Sequence, residues 1–161
     1  MKNSMGFPER KFQLVAEMLK EEIEKRGELS FKVKSNSMFP IIQSNDKVVV
    51  EKFVPEQLVI GKIIVFNIGK DLCTHRYIVR RRKKRGNEYI TKGDRSFKFD
   101  LPVTEDKIVG KVTAITRQGE LIDLSRGKYR IIRFCLGAVF RLQWFLFQLG
   151  RKICSLFVKR G

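Results

Sequence analysis

The chain contains one histidine, His75, at Thr74-His75-Arg76. Upstream lies Ser35-Asn36-Ser37-Met38-Phe39-Pro40, two hydroxyls followed by an apolar pair that a proline stops. Downstream lies Thr91-Lys92-Gly93-Asp94, with Asp100 six residues after Asp94. A serine, a histidine and a carboxylate are the groups that nucleophilic acyl transfer needs. The hydroxyl attacks, the imidazole moves the proton and the carboxylate orients the imidazole. The competing reading is structural: serines cap turns, and a lone histidine in a strand ordinarily satisfies a local contact. Metal chemistry has little to work with. A single histidine cannot build a multi-histidine centre, and Cys73, Cys135 and Cys154 are too few and too scattered for a zinc site or a disulfide framework. No cofactor and no metal are expected.

Such a site needs elements to hold it. With 161 residues and 43% hydrophobic composition, the chain suits one domain with a small appendage. Residues 9–26 predict an amphipathic helix. Phe12, Val15, Leu19 and Ile23 form its stripe, Leu14 and Met18 widen it, and Gly27 ends it. Packing on its own domain is the expectation, with docking to a partner as the alternative. From residue 30 short alternating runs predict strands at 31–33, 47–51, 62–66, 74–79, 88–91, 108–116 and 121–124, separated by polar and glycine turns. Many short strands with little helix between them predict a mainly β, antiparallel, barrel-like domain over residues 28–125. An N-terminal helix (1–27) precedes it and a C-terminal amphipathic helix (126–161) follows.

Charge is concentrated. The net charge is +17, yet residues 76–85 hold seven basic side chains and no acid, and residues 126–161 hold nine and no acid. A uniformly basic, histone-like protein is therefore excluded. Arg80 to Arg85 lead into Gly86-Asn87, the expected tip of a hairpin that is either merely solvated or touches anionic lipid or nucleic acid. On a helix, Arg130, Arg133, Arg141, Gln148, Arg151, Lys152, Ser155 and Lys159 fall within an arc of about 100°, and the remaining surface is largely apolar. The expectation is an anionic membrane surface bound through residues 129–159, with a protein partner as the alternative. No clean span of about twenty apolar residues is expected, because Arg141 interrupts the run. The N-terminal stretch shows no apolar run of signal-peptide length.

Taken in order, Ser35-x-Ser37-Met38-x-Pro40, Asp46-x-Val48-x-Val50, Gly61-Lys62-Ile63-Ile64-Val65-Phe66, His75-Arg76, Thr91-Lys92-Gly93-Asp94 and Gly110-Lys111-Val112 resemble the signal peptidase superfamily of serine proteases. That superfamily includes the self-cleaving LexA-type repressors. The resemblance covers about residues 28–117, and Lys62 departs from the family's usual aspartate. His75-Arg76 and the Asp94-to-Asp100 spacing are similar to the archaeal and endoplasmic-reticulum branch, which uses histidine rather than lysine as the base. Small bacterial members with a helix in place of an N-terminal anchor are the most similar group.

The resemblance implies a signal-peptidase or LexA-type catalytic fold and the following roles. Ser37 is the nucleophile, His75 the general base and Asp100 the residue that orients it. The Ser37 backbone N–H and the Ser35 hydroxyl supply the oxyanion site, the Ser35 role being carried from the lysine-type branch. Asp94 organises the turn near Asp100, Met38 and Pro40 shape the nucleophile turn and cleft floor, and Arg76 supports the site.

The expected function is a signal peptidase-like serine endopeptidase cleaving a leader, signal or precursor peptide. It is expected to be membrane-associated on the cytoplasmic face of the plasma membrane, with a cytoplasmic protein as the alternative. A non-catalytic membrane or nucleic-acid binding module is the first alternative function. Nucleic acid is not the expected partner, because no aromatic-interleaved signature accompanies the basic runs. A self-cleaving regulator is the second alternative. About 28 residues before the β region are too few for a helix-turn-helix domain, and no Ala-Gly-like cut site precedes Ser37.

Overall fold

The computed structural model describes the backbone of residues 7–158 except Lys70 and Arg85, and the side chains of residues 11–152 except those two. Arg85, Cys154, Ser155 and Lys159, all named above, lie outside the described side chains.

Helix α1 (Phe7–Arg26) opens the described chain. Strands β1 (Glu28–Lys32), β2 (Lys47–Glu51), β3 (Ile63–Asn67), β4 (Leu72–Lys83), β5 (Gly86–Lys92), β6 (Val103–Thr104), β7 (Ile108–Arg117) and β8 (Glu120–Asp123) follow, and helix α2 (Gly127–Val158) closes it. The strands form one antiparallel sheet in the order β1-β2-β7-β3-β4-β5-β6, with β8 also paired to β7. It curls into a half-barrel. Register shifts at Val49/Val50, Val65/Phe66 and Tyr77/Val79 each disturb a ladder in its middle. Such irregularities increase local twist and bend the bulged strand, which a sheet needs in order to curl.

Both faces of the sheet are covered. β3 is buried along its whole length, so the period-two alternation of a half-exposed strand is lost there. Ile63 and Val65 join Val48, Val50 and Val112 in one cluster, while Ile64 and Phe66 join Tyr77 and Tyr89 in another. Helix α1 covers the first cluster with Ala16 and Ile23, so it packs on its own domain. Leu14 and Met18 are exposed and do not widen its packed stripe.

The predicted strands are present, with β4 running longer than expected, and β6 is additional. Its two residues are too few to show alternation in a sequence. The β4–β5 hairpin also differs in detail. Gly86 pairs with Lys83 and Asn87 with Arg82, so both lie within β5 and the chain reverses before them.

The loop between β1 and β2 carries both candidate serines and is held from beneath. Asp46 is buried, accepts a 2.8 Å hydrogen bond from the Gln43 N–H, and receives Arg117 Nε at 3.0 Å and Nη2 at 2.7 Å. Arg117 Nη2 also donates to the Ile41 carbonyl at 2.9 Å. Burial raises the Asp46 pKa, but the hydrogen bonds from Arg117 and Gln43 and the Arg117 charge outweigh it, and the net shift is downward. A carboxylate with a lowered folded-state pKa contributes stability above its unfolded value. That stability is lost as pH falls through the folded value. Asp46→Asn is expected to lower Tm at pH 7 by several degrees. The gap to wild type should close as pH drops below about 4, as thermal melts across pH would show.

Helix α2 meets the domain along Tyr129, Ile132, Leu136, Gly137 and Phe140. At Gly61 the fit leaves no room. A Cβ there would lie 2.4 Å from the Arg133 carbonyl oxygen, and its φ of +85° disfavours other residues as well. The expected division into a polar arc and an apolar remainder is only partly kept. Arg133 and Gln148 of the arc are half-buried against the domain, while Arg130, Arg141, Arg151 and Lys152 are exposed. By length and composition, Gly127–Lys152 is long and apolar enough to span or associate with a membrane. It is not a clean apolar span, since Arg141 interrupts it as expected, but its average is apolar enough for that length.

Candidate active site

Three elements deliver the three groups. The β1–β2 loop carries Ser37, β4 carries His75, and the segment after β5 carries Asp100. His75 Nε2 lies 3.0 Å from Ser37 Oγ, and its Nδ1 lies 2.7 Å from Asp100 Oδ2. The imidazole is largely buried, 12% exposed, and the Asp100 side chain is 25% exposed. With the proton on Nδ1 facing the carboxylate, Nε2 is an acceptor for the serine hydroxyl. The contacts run serine to histidine to aspartate with no gap.

Sheet pairing sets this geometry. Arg76 pairs with Lys92 and Tyr77 with Thr91, which brings the start of β4 beside the end of β5. Asp100 is then clamped at two points. Its N–H donates to the Thr91 carbonyl at 2.9 Å, and its Oδ2 accepts the Thr91 hydroxyl at 2.7 Å. Thr91 had no role assigned from sequence. Its only signal there is its place at the head of the Thr91-Lys92-Gly93-Asp94 run.

Gly93 closes the other side. A Cβ at this position would lie 3.0 Å from His75 Nε2 and 3.0 Å from the Ser37 carbonyl oxygen. Backbone must therefore pass close to the Ser37–His75 contact, and only glycine leaves the imidazole where it is. Gly93→Ala is expected to push the imidazole off Ser37 with little loss of Tm, and any hydrolysis that uses the Ser37–His75 contact should then fall by about 10²-fold. The measurement is a rate and a melting curve on the same preparation.

The Ser37 turn is fixed by its neighbours. The Ser37 carbonyl accepts the Arg95 N–H at 2.9 Å. Ser35 Oγ lies 3.2 Å from Ser37 Oγ and accepts the Ser37 N–H at 3.4 Å, so the Ser35 hydroxyl and the Ser37 amide are hydrogen-bonded to each other. Met38 is almost wholly buried in the core and anchors the turn, whereas Pro40 is exposed. Neither lines the groove beside Ser37, so the cleft-floor expectation for them is corrected. That groove, about 410 Å³, is lined by Phe31, Val33, Ser35, Leu72, Thr74 and His75, among others.

Arg76 and Asp94 form a separate unit. Arg76 Nε and Nη2 meet Asp94 Oδ1 and Oδ2 at 2.7 and 2.6 Å, and Nη1 donates to the Gly61 carbonyl at 2.6 Å. The two side chains are 1% and 3% exposed. Asp94 thus ties the end of β5 to the start of β4. It acts by gripping Arg76, which places it on the buried flank of the triad.

Two other reactive groups are set apart. The Cys73 thiol is pushed up to about 12 by burial and by the nearby Asp100 and Asp71 carboxylates, so it is no nucleophile at neutral pH. Burial lowers the Lys92 pKa. Its ammonium nevertheless faces helix α2, 3.8 Å from the Phe140 ring centroid and 3.4 Å from Gln143 Oε1, away from Ser37.

No protein-family model matches this chain, and no curated protein matches it.

Proposed function

We propose that the chain is a serine endopeptidase of signal-peptidase type, cleaving a leader or precursor peptide with Ser37, His75 and Asp100 as its triad. The observation that carries this reading is the unbroken contact chain of 3.0 Å from Ser37 to His75 and 2.7 Å from His75 to Asp100. Three catalytic group types from three elements meet in the order that acyl transfer requires, beside an open groove.

The chemistry follows from the geometry. Ser37 Oγ attacks the scissile carbonyl carbon while His75 Nε2 takes its proton. Asp100 holds the imidazole by Nδ1–H and stabilises the cation that forms. The carbonyl oxygen, now negative, is received by the Ser35 hydroxyl and by the Ser37 N–H, which gives up its 3.4 Å contact with Ser35 Oγ to do so. His75 then returns its proton to the leaving amine, and water repeats the sequence on the acyl-enzyme. β1 is an edge of the sheet. Its free backbone groups beside the groove suit an extended peptide that adds as a further strand.

We place this activity at a membrane, on the cytoplasmic face. The apolar α2 helix supports membrane association, and the basic excess of the tail supports the side. A fluorophosphonate probe with mass mapping tests the catalytic claim. An adduct on Ser37 that disappears in His75→Ala is expected. An unlabelled, folded wild type would move the reading to a non-catalytic binding module.

A further inference from the structure

Helix α2 has two long sides in different surroundings. Tyr129, Leu136, Gly137 and Phe140 meet the β-domain, and Trp144 stacks edge-on to Phe99 at 5.0 Å. The other side presents Ile131, Phe134, Leu142, Phe145, Leu146 and Leu149, exposed from 45% at Leu149 to 74% at Phe134. Single exposed apolar residues are ordinary on a soluble protein, but a contiguous row of this size marks a binding surface.

Charge frames the row. Arg130 and Arg141 emerge along one flank of α2, and β4 runs beside that flank. Arg141 acts electrostatically on Tyr77, and the Arg81 guanidinium lies 5.7 Å from the Trp144 ring centroid. Beyond Arg81 the strand ends with Arg82 and Lys83, and Lys84 begins the turn, all three exposed. The two basic clusters, far apart in sequence, therefore adjoin in space. Arg81 is paired with Glu88 at 2.7 Å, so the uncompensated charge of the hairpin lies in the three residues after it, Lys83 being on the Arg81 side of the strand and Arg82 on the other.

We propose that this face docks flat on an anionic lipid bilayer. The apolar row enters the interface, and the arginine flank and the β4–β5 hairpin meet the headgroups together. The proposal deepens the membrane placement above and is independent of the protease reading. Packing favours flat docking over spanning. The packed stripe runs from Tyr129 to Trp144, about 22 Å at 1.5 Å per residue. A hydrocarbon core is about 30 Å thick, so a crossing α2 would carry Arg81, Lys92 and part of the sheet into it. Nucleic acid would satisfy the basic residues and could use Phe134 and Phe145, but it would leave the aliphatic members of the row, Ile131, Leu142, Leu146 and Leu149, unburied.

The test is flotation of the full chain with phosphatidylcholine vesicles containing 30% phosphatidylglycerol, against vesicles of phosphatidylcholine alone. Binding is expected on the anionic vesicles and at least about tenfold weaker on the neutral ones. Each basic residue at an anionic surface is worth about fivefold in partitioning, so R82Q/K83Q/K84Q is expected to weaken binding by up to about 100-fold. F134S/L142S/F145S changes only exposed positions and is expected to abolish flotation with Tm retained. In a chain with its native cysteines replaced by alanine, K128C and K152C should both react with an impermeant maleimide added outside the vesicles.

Protection of one of those two ends would mean that α2 spans, and would overturn flat docking while keeping membrane association. Undiminished binding of the hairpin variant would overturn the joint surface. Failure of the folded wild type to float would overturn the proposal, as would tighter binding to single-stranded RNA or self-association through the same face. None of these outcomes touches Ser37 labelling, so the two readings fail separately.

Discussion

Ser37→Ala is expected to remove hydrolysis by at least about 10³-fold while leaving the fold intact. The loss is large because the hydroxyl is the attacking group, and no neighbour replaces it. Ser35 Oγ is 3.2 Å away from Ser37 Oγ, but only Ser37 is in hydrogen-bond contact with His75. The fold should tolerate the change because the Ser37 turn is held by its backbone, by Met38 and by the Asp46–Arg117 pair rather than by the hydroxyl. Cells carrying wild type or Ser37→Ala give the readout. Protein N-termini present in the first and lost in the second would report the substrate and its cut site. Identical N-termini, with both chains folded and expressed, would contradict the protease reading.

The second large effect falls on stability. Asp94→Ala leaves the Arg76 guanidinium buried at 1% exposure, with the Gly61 carbonyl as its remaining hydrogen-bond acceptor. Removing one partner of a buried pair costs roughly 3–5 kcal/mol, because the other charge is stranded. For a chain of this length that is a fall in Tm of about 10–20 °C. Replacing both, as in R76M/D94L, should recover much of the loss, since an apolar pair needs no neutralisation. Asp100→Asn gives the contrast. That residue is partly exposed, so it should cost little stability and most of the activity. Thermal melts of the four chains separate a structural aspartate from a catalytic one. Equal melting of the two single aspartate variants would refute the division.

Ser37, His75 and Asp100 were legible because each lies in a short, ordered motif, and their meeting is a consequence of strand pairing that such motifs accompany. The strands were legible from short apolar and alternating runs between turns, β3 from its continuous Ile63-Ile64-Val65-Phe66 run alone, except β6, which is too short to show a pattern, and the ends of β4. Residues that act by proximity were harder to find. Thr91 matters for the Asp100 oxygen 2.7 Å from its hydroxyl and Gly93 for the His75 and Ser37 atoms that would lie 3.0 Å from a Cβ there, and no pattern along the chain encodes those distances. The arc of α2 shows the same limit. Arg133 belongs to the polar arc by helical angle, yet it is half-buried because Gly61 lets the helix approach. Angle along a helix predicts which residues share a side; the domain decides how much of that side it covers.

The single tryptophan of the chain is Trp144. Its ring touches Phe99, the neighbour of Asp100, lies under the Arg81 guanidinium, and belongs to the helix proposed to meet lipid. The molecule therefore carries an intrinsic optical reporter at the junction of the Asp100 segment, hairpin and tail. Its emission maximum and its quenching can follow the arrival of a membrane and the ordering of the Asp100 segment in one cuvette, with no label attached.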